Sequence, residues 1–144
     1  MLSKSCEYAI RAMIFISQKV GDVPKASVKE IATNINAPIH FIAKILQELC
    51  KKKILQSIKG PNGGFYLEKK DLKITLAQIV LTIDGDNIYK QCILGLKECS
   101  SKKPCPVHNQ YKEIRKEILT MLENNTISNF NDKLNTGKYF LKNN

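Results

Sequence analysis

The sequence predicts a mainly α-helical chain with one small β-hairpin and a long, separate helix in its C-terminal third. Three observations carry this. Apolar residues recur at helical spacing through the first third of the chain, two strand-like runs flank Gly60-Pro61-Asn62-Gly63-Gly64, and a one-sided apolar stripe returns after Pro106. At 144 residues, with hydrophobic residues making up 43%, the chain suffices for one core plus an accessory element, not for two independent domains.

Tyr8, Ala9, Ala12, Met13, Phe15 and Ile16 share one helical face, which predicts a buried amphipathic helix from Ser3 to about Lys19. The run Gly21-Asp22-Val23-Pro24 breaks it. Ser27 and Glu30 have capping-box spacing for a second helix that turns Val28, Ile31, Ala32 and Ile35 inward. A polar break at 34–38, closed by Pro38, separates it from a third helix with Phe41, Ile42, Ile45, Leu46 and Leu49 inside. Two short helices joined by a tight turn form a helix-turn-helix, and His40, Ala43, Lys44 and Gln47 face outward from the second of them.

Strand-like runs at 54–59 and 65–68 around the glycine-rich turn add a basic hairpin directly after that motif, which is a wing. Its glycines permit positive φ and close backbone approach to a phosphate, and Lys59 brings charge to the tip. Thr75 is placed as the N-cap of a short helix from Leu76 to about Ile83, stopped at Asp84-Gly85. A Cys-, Lys- and Ser-containing loop follows at 88–107. A long helix then runs from about Pro106 to Glu123, with Tyr111, Ile114, Ile118, Met121 and Leu122 on one side. Such a helix, outside the winged core, is expected to pack against its copy in a homodimer. The expected division is a winged helix-turn-helix over 1–85, a sensor loop over 86–107, a dimerisation helix over 106–125 and a polar tail over 126–144.

Charge favours an anionic partner, most often nucleic acid and less often acidic lipid, with a merely solvated surface as the alternative reading. The chain carries +10, and seven lysines between positions 44 and 70 face only Glu48 and Glu68, so half of the excess lies on the third helix and wing. No apolar run approaches the ~20 residues of a membrane span. Lys4, Glu7 and Arg11 interrupt the segment where an export signal would need an apolar core, so a cytoplasmic location with no membrane partner is expected. Five cysteines, at 6, 50, 92, 99 and 105, are an odd number, which argues for reduced thiols. Cys50, beside Leu49, reads as a small apolar filler, and Cys6 as structural.

The wing Gly60-Pro61-Asn62-Gly63-Gly64-Phe65, the opening Tyr8-Ala9-Ile10-Arg11-Ala12-Met13 and the later Ile74-Thr75-Leu76-Ala77-Gln78-Ile79-Val80 together resemble the Rrf-type winged-helix transcription regulators. That family includes the iron-sulfur cluster regulator IscR, the nitric-oxide sensor NsrR and the cysteine-metabolism regulator CymR, and the resemblance spans nearly all of residues 1–125. It implies a dimeric repressor of double-stranded DNA, not an enzyme. The third helix would enter the major groove and the wing the adjacent minor groove. By position, Pro38, His40, Ala43 and Lys44 would lie at the recognition helix, and Ser57, Lys59, Gly60 and Pro61 at the wing, with Lys29 a further basic candidate. Ala43 departs from the glutamate of the IscR branch. An alanine accepts no hydrogen bond from a base, so operator specificity does not transfer.

The same resemblance implies that Cys92, Cys99 and Cys105 hold an iron-sulfur cluster of the [2Fe–2S] type, thiolates being soft anionic donors suited to iron. His108, three residues after the last cysteine, matches the fourth ligand of the IscR pattern, and Glu7 is the alternative, from the position where other branches donate an acidic ligand across the dimer. Zinc ranks below iron because the intervals between the cysteines exceed those of zinc knuckles. Two rival readings stand beside this one. One is a cluster-free repressor of the cysteine-metabolism type, answering to a partner protein or small effector. The other is a thiol redox or metal-storage protein, disfavoured because there is no Cys-x-x-Cys pair and no acid–base pair in an evident substrate pocket. RNA binding ranks lower still, since no stacking aromatics accompany the wing lysines.

Overall fold

The computed structural model describes residues 1–19 and 24–142. Of the expected break after the first helix, Gly21, Asp22 and Val23 lie outside the described residues. Helix α1 (Lys4–Ser17) starts where the Ser3 hydroxyl accepts a hydrogen bond from the Cys6 amide at 3.1 Å. The Ser3 amide and hydroxyl also donate to the carboxylate of Asp84, tying the beginning of α1 to the end of a later helix. One face of α1 buries Ala9, Ala12, Met13 and Ile16, the central strip of the domain.

Strand β1 (Lys25–Ala26) leads into helix α2 (Val28–Ile35), capped by Ser27, whose hydroxyl accepts from the Glu30 amide at 3.1 Å. Asn36 ends α2 in the left-handed region (φ 53°), a conformation asparagine tolerates better than most residues. Pro38 then stands as N-cap of helix α3 (Ile39–Lys51). Buried Ile31, Ala32 and Ile35 of α2 meet Ile42, Ile45, Leu46 and Leu49 of α3 across α1, so the helix-turn-helix is held by one shared core. Phe41, expected inside, is instead exposed at its edge, with its ring against Tyr8 of α1 in edge-to-face geometry at 5.7 Å.

Strands β2 (Gln56–Ile58) and β3 (Gly64–Tyr66) form the hairpin, paired Gln56 with Tyr66, Ser57 with Phe65 and Ile58 with Gly64. The strands are shorter than the sequence pattern suggested. The sheet also has a third member, because β1 pairs antiparallel with the other edge of β3. Two residues are too short a run to show alternation, so the pattern could not reveal β1. A 3₁₀ turn (Lys69–Lys73) precedes helix α4 (Leu76–Asp84), which Thr75 and Gln78 cap reciprocally.

A short helix α5 (Asn87–Lys90) opens the expected loop, and helix α6 (His108–Asn124) follows it. Leu122 of α6 is buried and Ile118 half-buried against the core, whereas Ile114 and Met121 remain 52% and 54% exposed. The segment read as a polar tail contains helix α7 (Ile127–Asn135), which buries Ile127 and packs Phe130 against the core beside α1. The Asn131 amide donates to the Ser17 hydroxyl at 2.9 Å, and backbone bonds from Leu76 to Asn125 and from Ile127 to Ile74 close the α6–α7 junction onto α4. No helix among the described residues is long and apolar enough to cross a membrane.

Candidate DNA-binding face and cysteine site

Two groups of candidate residues lie in different parts of the molecule. The first is the surface formed by α2, α3 and the hairpin. Pro38, His40 and Lys44 are exposed on α3, Ala43 is half-exposed, and Lys29 is exposed in the first turn of α2. Ser57, Lys59, Gly60 and Pro61 are exposed on the hairpin.

A cleft of about 610 Å³ separates α3 from the hairpin, with Gln47 and Cys50 on one wall, Ser57, Lys59 and Pro61 on the other, and Ser27 at its end. Gln47 thus faces the hairpin from α3 across this cleft. The Cys50 thiol at the back of this cleft is pushed up by burial and partly offset by a hydrogen bond with Ser57. Cys50 is partly buried and packs against the core, in keeping with its reading as a small apolar filler.

The hairpin turn is held by the Gly63 amide, which donates to the Gly60 carbonyl at 2.9 Å. Gly60 has φ 107°, and a Cβ on Gly63 would run into the Ile58 carbonyl, so the turn depends on glycine at both positions. Lys25 of β1 donates through Nζ to the Asn62 carbonyl and so ties the third strand to the wing tip. Its lone position between a break and a helix cap gave no signal of this.

The second group is the cysteine loop. Cys92 and Cys105 approach to 3.9 Å between sulfurs, and Cys99 Sγ lies 3.4 Å from His108 Nδ1. His108, the first residue of α6, is only 4% exposed, and its Nε2 lies 3.4 Å from the Ser101 hydroxyl. Its amide donates to the Cys105 carbonyl at 3.0 Å, which links the last cysteine to the helix start. Arg115, one side of α6, donates to the Gln91 carbonyl at 3.0 Å and pins the chain next to Cys92.

The Cys92 thiol, 7% exposed, is drawn below the ordinary cysteine value. The backbone hydrogen bond from Leu94 contributes most, opposed by burial and aided by Leu96, Cys105 and the Arg115 charge. Cys6 behaves oppositely. Burial, with the charges of Asp84 and Glu7, pushes it up to about 12, which suits a structural thiol.

The four expected ligands therefore meet as two pairs. Among the described residues, no group of three or more His, Cys, Asp or Glu side chains lies close enough to hold a single metal ion. Glu7 stands on α1, its carboxylate 3.0 Å from Lys4 Nζ. Ser101, which lies beside His108, and Arg115, which holds the chain next to Cys92, were not singled out from the sequence because neither has a motif of its own.

The family described as "Rrf2: Iron-dependent Transcriptional regulator" matches residues 2–133, nine-tenths of the chain. The chain belongs to the Rrf2 family of transcriptional regulators. A protein of Aquifex aeolicus (strain VF5) named as an HTH-type transcriptional regulator is 33% identical over 129 residues, 88% of each chain. The structure of CymR, the global cysteine regulator of B. subtilis, superimposes with a TM-score of 0.73 over 92% of this chain and 97% of that one at 21% identity. T. potens IscR does so with a TM-score of 0.74 over 97% and 92% at 20% identity. The two likenesses are equal in fold, so the fold alone does not separate the branches. Rrf2 proteins are DNA-binding regulators and not enzymes, typically homodimeric, as the residues of the wing and α6 led us to expect.

Proposed function

We propose that this regulator binds its operator through α3 and the wing, and that an iron-sulfur cluster held by Cys92, Cys99, Cys105 and His108 sets its affinity for DNA. The observation that carries the reading is the pairing of the donors, Cys92 with Cys105 and Cys99 with His108, beside a nearly buried imidazole. In a [2Fe–2S] cluster each iron takes two protein donors in addition to the bridging sulfides, so a donor set arranged two by two suits it better than a single tetrahedral zinc. The lowered Cys92 thiol favours the thiolate that iron requires. When bound, the cluster supplies a redox- and ligand-sensitive centre.

The chain's own groups supply the rest of the device. Arg115 anchors the entrance of the loop, and His108 joins its exit to the first turn of α6, the helix with exposed Ile114 and Met121. A change in the loop is thereby passed to the surface between the two copies. Half-sites one turn of DNA apart, ~34–36 Å, amplify a small reorientation of two recognition helices into a large affinity change. Repression is the family's usual outcome. On the operator, His40, Lys44 and Gln47 face the major groove, and Ser57, Lys59, Gly60 and Pro61 reach the neighbouring strand, while Lys29 neutralises a phosphate.

Anaerobic reconstitution with iron and sulfide tests the cluster. The wild type should become coloured and hold iron and sulfide in equal amounts, while the Cys92→Ala/Cys99→Ala/Cys105→Ala protein stays colourless with its fold intact. His108→Ala should shift the visible spectrum, and a Glu7→Ala protein should keep it. A colourless wild type that still binds DNA would establish the cluster-free repressor instead.

A further inference from the structure

A cavity of about 350 Å³ lies between α1, the end of α2, the end of α7 and the chain beyond it. This is at the lower end of the range of ~300–1,000 Å³ usual for small-molecule sites. Its apolar walls are Phe15, Ile35 and Leu134, and Tyr139 and Phe140 of the C-terminal segment fold over it. Phe140 is 74% exposed, a large apolar side chain held at a rim with little of its own surface covered.

The polar part of the lining is one-sided in charge. Arg11 and Lys142 line the cavity together with the amides of Gln18 and Asn34, and among the described residues no Asp or Glu does. Neither cation has a carboxylate partner among the described residues. Apolar walls with two cations and two amides suit a compact anion with an apolar body.

Arg11 also touches the DNA-binding elements twice. Its Nη1 donates to the Ile35 carbonyl at 3.2 Å, the last carbonyl of α2 before the left-handed Asn36. Its guanidinium stacks over the Tyr8 ring at 5.1 Å, and Tyr8 in turn meets Phe41 of α3. An anion that recruits Arg11 therefore competes with the group that closes the α2–α3 turn.

We propose that this cavity binds a small aromatic or branched aliphatic carboxylate, and that occupancy weakens DNA binding by drawing Arg11 away from the α2–α3 turn. None of its lining residues belongs to the cysteine loop or to α6.

The test is a ¹⁵N chemical-shift titration of the full chain with phenylacetate, indole-3-acetate and 4-methylpentanoate, and with phenethylamine as the cation of matching shape. At least one carboxylate should give saturable shifts at Phe15, Ile35 and Phe140, and phenethylamine none. Arg11→Gln and Phe140→Ala should each weaken that binding by roughly tenfold, the second variant being at an exposed position where the fold is not at stake. The same carboxylate should lower DNA affinity in the wild type and equally in the Cys92/Cys99/Cys105 triple variant, so its success or failure is read separately from that of the cluster. No saturable shift with any of the three, equal binding of the amine, undiminished binding in both variants, or DNA affinity unmoved at saturation would each overturn the proposal.

Discussion

In the winged body, successive helices send their apolar side chains into one shared core: Met13, Ile31, Ile42, Leu46, Leu49 and Ile79 are all fully enclosed. In the cysteine loop, residues 91–107, Cys92 alone is buried, and Ile93, Leu94 and Leu96 are exposed. The body is thus held by apolar burial, which is cooperative and insensitive to redox state. The loop is held by a few contacts between sulfur, imidazole, hydroxyl and guanidinium groups. A region with few buried contacts can reorganise at small cost while the body stays folded. On the function proposed above, that difference would let one chain keep a fixed DNA-binding surface while its loop responds to a signal.

The sharpest way to break this comparison is to truncate one residue in each region. Leu46→Ala should destabilise the protein by about 2–5 kcal/mol in urea unfolding, whereas Leu94→Ala should stay within about 0.5 kcal/mol. Equal losses would mean that the loop belongs to the core. Gly63→Ala comes next. With its Cβ against the Ile58 carbonyl, the hairpin must open, costing about 1–3 kcal/mol and weakening DNA binding while the helical circular dichroism is kept.

Charge removal separates the regions on a smaller scale. Lys44→Ala and Lys59→Ala should each lower DNA affinity and reduce the salt-dependence slope by about 1, while Lys103→Ala in the loop leaves the slope unchanged. The smallest effect at about pH 8–9, where the unfolded thiol only begins to ionise, concerns Cys6. Its thiol ionises near 9.0 when unfolded and only at about 12 when folded. Between those values the unfolded chain has released a proton that the folded chain keeps, so stability falls as pH rises. Cys6→Ala should remove that part of the decline in thermal melts recorded from pH 8 upward.

Legibility followed the same division. The helices of the body were readable because burial imposes a period on the sequence: Ile42, Ile45, Leu46 and Leu49 announce α3, and Ser27 and Thr75 announce the caps. Phe41 deceived the pattern, because an aromatic edge packs well on a neighbouring Tyr8 without being enclosed. Strand β1 and helix α7 escaped for a different reason. The first is too short for alternation, and the second carries only Ile127 and Phe130 into the core amid a polar sequence.

At the cysteine site, spacing and resemblance singled out four candidate donors, but not that Cys92 meets Cys105 and Cys99 meets His108, nor that Ser101 and Arg115 contact them and their anchor. Those contacts depend on where α6 begins relative to α5, which no local pattern records. The cavity at Arg11 was equally invisible, since its walls come from three distant stretches of chain.

The most direct test of the central claim is DNA affinity measured anaerobically, on sequences selected from a random pool, for the cluster-loaded protein and for the same preparation after the cluster is removed. The account predicts an affinity change of about tenfold or more. The helical signal and dimeric state should be the same in both forms, and the Cys92/Cys99/Cys105 triple variant should behave as the cluster-free form. Identical affinity in the two forms, or unfolding when the cluster is removed, would contradict it.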